Sequence, residues 1–473
     1  MIHFDTKYIK ILGLIYLCLP VLIFFIGWLH WYISIPAILL LSFCLFTATR
    51  QNESFILSVS LNKLLFILTI IFCWVFLSGI GRYVWQNDDH LWRNAIFNDL
   101  LYREWPVYNG EYGLCYYIGF WLPSALIGKL FHSMLLGNML QLFWTWIGMS
   151  VFYLLVSEYL GKIRIGVLFI MIFFSGIDII GYGVEYLKGH SWSDFGEFLT
   201  LFPHIEWSHG SAFQASSVTT LLFWVFNQAV PFFVGMMLVL QNKNSRYTLF
   251  IYSLLLLFSP FPFVGFAPII GYYYIKEIYD IGIKSFFKQH LCIENLTALF
   301  IILVVGLYYV SNIATGESGF RTPTSRYLFF LLTQYGIYLI FVFKDNKKDP
   351  ILIIMCITAA IFPLIRLGEA SDFCMRTNIP FIMYMMILFA RFLYDSSVCR
   401  QFKIMALLVF LLGAITPFFE IARTVRGTYE EYKYGIDGEQ KVTDRDSIFD
   451  DGLIGTNFVG NKESFFYRYL VRD

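Results

Sequence analysis

The chain has 473 residues, 58% hydrophobic and only 14% charged, with a formal net charge of +1. A soluble protein carries about a quarter charged residues, so this composition excludes an ordinary soluble enzyme, and the near-zero net charge gives no footing for nucleic-acid binding. The apolar runs are continuous rather than alternating, which disfavours a β-barrel and points to an all-α polytopic membrane protein. The eight cysteines are scattered without a CxxC pair, which argues against disulfides or a thiolate metal site.

In chain order, the first predicted crossing, 11–30, follows Lys7 and Lys10 and lacks a small-residue cleavage site, as expected of a retained helix rather than a signal peptide. Crossings at 32–49 and 63–82 follow. With the N-terminus inside, the polar stretch "WQNDDHLWRNAIFNDLLYREWPVYNG" (85–110) falls outside. Residues 89–104 have the pattern of an amphipathic helix, with Leu91, Ile96, Leu100 and Leu101 on one side. The apolar run 112–131 is predicted not to cross. Only then do the later basic clusters, from Lys162/Arg164 to Arg400/Lys403, all fall inside. Further crossings are predicted at 134–158, 164–181, 216–240, 246–258, 262–276, 292–311, 326–343, 350–366, 377–394 and 403–420, about thirteen in all. Residues 1–420 then form one transmembrane domain with external loops at 83–133, 182–215, 311–325 and 366–376, and 421–473 is a short external tail. The tail carries Phe449, Phe458, Phe465, Phe466 and Tyr469, so it either packs on the external loops or stays disordered. No internal repeat is visible, so the signature of many secondary transporters is missing.

Three constellations lie on the predicted external face. The first is Asp88 and Asp89: either is a solvated or helix-capping carboxylate, or a general base at the membrane mouth that takes a proton from a hydroxyl. Asp89 and Arg93 are four apart and share a helix face. The second is "HIEWSH", giving His204, Glu206 and His209. It reads as a structural loop, a substrate-binding wall, or a divalent-metal site; the last is disfavoured because H-x-E-x-x-H is not the helical H-E-x-x-H spacing. The third is "IRLGEASDFCMRTNIP" (365–380), with Arg366, Glu369, Asp372 and Arg376. It is either a solvated turn with internal ion pairs or a phosphate clamp, since guanidinium forks match phosphate oxygens. Arg321 in "GESGFRTPTSR" is a further phosphate candidate.

A membrane helix ending in an acidic pair, an amphipathic loop helix, "WPVY" and a non-crossing apolar segment together resemble the first external loop of the C-type glycosyltransferase superfamily (GT-C). The spacing D-x-x-x-[RH]-x-A-I-x-x-D-L fits Asp89, Arg93, Ala95, Ile96, Asp99 and Leu100, with arginine at 93 where histidine is as frequent. "LFWVFNQAVP" with the loop before it, and "SDFCMR…IP", resemble the same superfamily. The resemblance implies a GT-C-like fold with juxtamembrane helices in the first loop. It also implies a sugar donor on a polyprenyl phosphate and a glycan, lipid or protein acceptor; no cofactor is expected, a divalent metal being open but disfavoured by the spacing above. Asp89, with Asp88 as rival, would be the base of an inverting transfer on the external face of a bacterial plasma membrane. Arg93, His204, Glu206, His209, Arg321, Arg366, Glu369, Asp372 and Arg376 would bind substrate. Two other classes remain open. An O-antigen polymerase or ligase would be favoured by a large central external loop, whereas these loops are short. A lipid or glycan transporter would be favoured by charges buried mid-helix, for which Asp178 is the main candidate.

Overall fold

The computed structural model describes residues 2–50, 55–206, 212–242, 244–434, 445–450 and 457–472. The chain is mostly helical, at 72%, with little sheet. A strand β1 (Ile2–Asp5) leads into α1 (Thr6–Trp28), and Asp5 caps that helix by accepting from the Lys7 amide at 2.8 Å. Next come α2 (Trp31–Arg50), β2 (Ile56–Val59) paired antiparallel with β1, and α3 (Leu61–Phe76). The loop region that follows holds α4 (His90–Tyr102), β3 (Tyr108–Asn109), β4 (Tyr112–Leu114) and α5 (Leu122–Leu130). At nine residues α5 is roughly 14 Å long, about half the hydrocarbon thickness.

The helical body continues with α6 (Met134–Tyr159), α7 (Ile165–Phe173), α8 (Asp178–Tyr186), α9 (Trp192–Leu199), α10 (Val218–Trp224) and α11 (Phe226–Leu240). After these run α12 (Thr248–Leu254), α13 (Pro260–Ile281), α14 (Ile283–His290) and α15 (Ile293–Val310). The last third holds β5 (Ser318–Phe320), α16 (Ser325–Leu331), α17 (Ile337–Asn346), α18 (Pro350–Ile361), β6 (Ile365–Leu367), α19 (Asp372–Thr377) and α20 (Ile379–Tyr394). It closes with α21 (Arg400–Gly413), α22 (Ile415–Tyr434), β7 (Val459–Asn461) and α23 (Phe465–Tyr469). Among the described residues, seven helices are long and apolar enough to cross a membrane, so this is a membrane protein. Five further apolar helices among the described residues are shorter, at 10–17 residues.

The core forms where α1 packs on α2, α6 and α11. Tyr16 stacks on Trp144 with ring centroids 4.2 Å apart, and Phe152 stacks on Phe233 at 4.8 Å. Several expected crossings are interrupted rather than straight. One breaks at 174–177 between α7 and α8, another winds through a π turn at Leu332–Gly336 between α16 and α17, and a third bends between α21 and α22. These three breaks meet at the fully buried Asp178. Its carboxylate accepts from Ser175 Oγ at 3.1 Å, Gln334 Nε2 at 2.6 Å and Thr416 Oγ1 at 2.9 Å. Non-helical backbone at such depth is tolerated because its polar groups find partners inside the protein: the Ile177 amide donates to the Thr333 carbonyl at 3.0 Å.

Two expectations need correction. Helix α22 runs to Tyr434, so helix continues well past residue 420, where the last expected crossing ends. Helix α4 is not one-sided either: His90 and every residue from Arg93 to Leu101 are buried, because the tail covers the face that would otherwise be wet.

Candidate active site

At one end of the bundle lies a cleft of about 670 Å³, walled by segments far apart in sequence. Asp89, Trp92 and Arg93 come from the start of α4, Tyr116 and Tyr117 from the turn after β4, and His204 and Gln214 from the loop before α10. Asn312 follows α15, Glu369, Asp372 and Arg376 lie around α19, and Asn457 and Phe458 belong to the tail.

Asp89 sits at the N-cap of α4 yet makes no capping bond with its side chain. Its carboxylate instead accepts from Arg93 Nη2 at 2.9 Å; Asp89 is 41% exposed and Arg93 only 7%. The Arg93 guanidinium lies 5.8 Å from the Phe226 ring centre, and its Nε has no hydrogen-bond partner. Asp88, one residue earlier, is exposed and does not line the cleft.

A helix break positions α4. The turn at Val225 separates α10 from α11 and leaves the Phe223 carbonyl available. Asn87 Nδ2 donates to it at 3.0 Å and His90 Nε2 at 3.2 Å, and His90 also stacks on Phe226 at 5.7 Å. Burial, reinforced by the Arg93 charge, pushes His90 down to about 3, so it serves as a neutral anchor.

The same unit recurs on the opposite wall. Arg376 Nη1 donates to Asp372 at 2.7 Å, its guanidinium lies 5.9 Å from the Phe261 ring centre, and its Nε is likewise unpartnered. Burial raises the Asp372 carboxyl against the lowering pull of Arg376, and the Asp89 charge adds to the rise. The Asp89 charge is thus felt at the Asp372–Arg376 pair.

Other expected site residues take different roles. Arg321 spends its guanidinium on the backbone carbonyls of Pro363 and Ile365, each at 3.2 Å, and Ala370 at 2.6 Å, so it braces the 363–370 turn behind the cleft. Arg366 pairs with Glu317 beside the antiparallel β5–β6 pair. Neither lines the cleft, so neither is placed as a phosphate clamp. Glu369 lines it and accepts from Asn457 Nδ2 at 3.0 Å.

His204 lines the cleft and donates through Nδ1 to Glu420 at 2.7 Å, beneath the Trp224 ring at 4.8 Å. Burial lowers the His204 imidazole, but the charge and hydrogen bond of Glu420 outweigh it and raise it. Glu206 is fully buried one layer back. It accepts from the Ser217 amide at 2.8 Å and Gln214 Nε2 at 3.2 Å, and burial raises its carboxyl. His209 lies outside the described residues. His204 and Glu206 thus face different partners, and among the described residues no three His, Cys, Asp or Glu side chains converge on a common point.

The tail, expected either to pack on the external loops or to stay disordered, contributes to the wall. Strand β7 adds to β4, pairing Val459 with Leu114, and Phe458 stacks on Trp92 at 5.1 Å. Upstream, the segment 445–450 straps across α4. The buried Asp99 accepts from Arg103 Nε and Ser447 Oγ, each at 2.7 Å, and from the Ile448 amide at 3.0 Å. Asn98 Nδ2 donates to the Arg445 carbonyl at 3.0 Å. No family model, curated protein or solved structure matches this chain.

Proposed function

We propose that this protein is a membrane-embedded glycosyltransferase of the GT-C kind, moving a sugar from a polyprenyl-phosphate donor to an acceptor hydroxyl. The observation that carries the reading is a half-exposed carboxylate, Asp89, sharing a cleft with two buried arginines whose Nε donors are unpaired. Asp89 would accept the acceptor's proton as its oxygen attacks the anomeric carbon, and Arg93 would orient that carboxylate. The bond from the anomeric carbon to the phosphate oxygen breaks, and the departing lipid phosphate takes the negative charge. Arg376, fixed by Asp372 and by the Phe261 face, would meet that charge with donors already in place. Tyr116, Tyr117, Trp92 and Phe458 supply flat faces suited to a sugar ring. Placing donor and base at the mouth of a helical bundle suits a substrate held in the bilayer by its tail.

The test is photo-crosslinking with a polyprenyl-phosphate-sugar probe, followed by peptide mapping. Labelling around Arg376 and Tyr116, lost on competition with unlabelled donor, is the expected result; labelling confined to the bundle's outer surface would sink the reading. A second reading, a lipid or glycan transporter, rests on Asp178, a carboxylate buried among interrupted helices. Asp178 does not line the cleft. Lipid or glycan movement across vesicles that is lost in Asp178→Asn but kept in Asp89→Asn would favour that reading.

A further inference from the structure

On the flank of the same end of the bundle lies a second hollow, of about 390 Å³, that shares no lining residue with the cleft. Its walls are apolar: Ile23 and Ile26 from the end of α1, Leu126 and Leu130 from α5, and the ring of Trp105. Ile26 is 55% exposed and Leu130 68%, so the hollow opens onto the side of the bundle, where lipid chains lie. Trp105 forms its floor by lying directly on Gly27, where a Cβ would stand 2.8 Å from Trp105 Cε3. Trp105 also packs on Trp28 at 5.2 Å, and Trp28 on Phe24, which walls the hollow off from the interior.

The rim is basic. Lys129 Nζ donates to the Arg103 carbonyl at 2.5 Å, and Arg472 donates through Nη2 and Nε to the Trp105 carbonyl at 2.6 and 3.2 Å. These acceptors are neutral, so both cations are held in place without losing their charge. Each keeps donors to spare, since an ammonium has three and a guanidinium five. The one acid in the lining, Glu104, lies 3.9 Å from Lys129 with its side chain 96% exposed, too wet to compensate two fixed cations. The His132 imidazole completes the rim.

We infer that this hollow is a binding site for an anionic phospholipid, with the phosphodiester between Lys129 and Arg472 and an acyl chain along Ile23, Ile26 and Leu130. Apolar walls below a basic rim match a molecule whose charge sits at the interface and whose chains run into the bilayer. A bulk lipid suits the site better than a sugar donor, because the wall of Trp105 and Trp28 separates it from the cleft. The inference is independent of the transfer reading.

The experiment is native mass spectrometry of the full chain, delipidated and titrated with phosphatidylglycerol or phosphatidylcholine. The wild type is expected to retain one phosphatidylglycerol in preference to phosphatidylcholine. The double substitution Lys129→Gln/Arg472→Gln should weaken that site by roughly tenfold or more. Ile26→Trp leaves the rim intact and fills the hollow, and it should lose the same molecule. Equal retention of the two lipids, or retention by Ile26→Trp, overturns the inference. So does displacement of the bound phosphatidylglycerol by equimolar polyprenyl phosphate, which would make the hollow a donor site.

Discussion

Replacing Asp99 by Asn should unfasten the strap that crosses α4. The carboxylate uses both oxygens: Oδ1 accepts from Arg103 Nε and Ser447 Oγ, and Oδ2 from the Ile448 amide. An amide has one acceptor oxygen, so if it serves Arg103 and Ser447, its NH2 faces the Ile448 N–H donor to donor. Ile448 is fully buried, and a stranded buried donor costs about 1–3 kcal/mol, which raises the open population of the strap roughly 5- to 150-fold. Hydrogen exchange of a peptide covering 445–450, corrected for intrinsic rates, should lose protection by that factor, while α6 stays protected. The pH dependence carries a second signature. Burial raises the Asp99 carboxyl above its ordinary value, so the native state holds the proton more tightly than the unfolded chain. Strap stability should therefore fall as pH rises from the unfolded carboxyl value, about 4, through the raised one, and Asp99→Asn should be flat there. Protection unchanged within about threefold, or the same pH slope in the variant, would refute the reasoning.

Other outcomes follow from the placement of side chains. Asp89→Asn should lower transfer by about 100-fold or more while leaving the fold intact, and Asp88→Asn should stay near wild type; equal losses would unseat Asp89 as base. Arg376→Lys keeps the charge but not the fork, and should cost about 10- to 100-fold in kcat/KM for the lipid donor, measured by varying the donor. Arg321→Ala strips support from three carbonyls and should destabilise by about 2 kcal/mol or more, whereas Arg366→Ala, at an exposed pair, should cost under about 1 kcal/mol; thermal unfolding in one detergent separates them. The raised imidazole of His204 contributes stability present below its unfolded value and lost as pH rises through the folded one. Unfolding of wild type and His204→Gln from pH 5 to 9 should show that slope only in the wild type.

How far the sequence alone carried the site can be judged residue by residue. Asp89 and Arg93 are joined by helical periodicity, and i,i+4 spacing is visible in any string of letters. The burial of Asn98 and Asp99 is not, because the strap that covers them lies about 350 residues on, and no local pattern encodes such a partner. Arg321 and Arg366 show another limit. An arginine that braces backbone carbonyls has the same neighbours in sequence as one that awaits a phosphate, and only the turn it closes tells them apart. The apolar runs marked where helices lie but not where they break. Val225 and the turn at 332–336 carry no proline, and they are interrupted because polar partners elsewhere can satisfy the freed backbone.

The meeting of three interrupted helices at Asp178 also bears on how the chain is made. Gln334 is 156 residues downstream of Asp178 and Thr416 is 238. During vectorial synthesis at about 5–20 residues per second, Asp178 and the bare backbone at 174–177 enter the membrane many seconds before either partner exists. Until then Ser175 alone can serve the carboxylate from within its own helix pair. The early helices are thus delivered incomplete, and the Asp178 site is filled only when α22 arrives. A chain that ends before residue 416 leaves that buried carboxylate without one of its three side-chain donors.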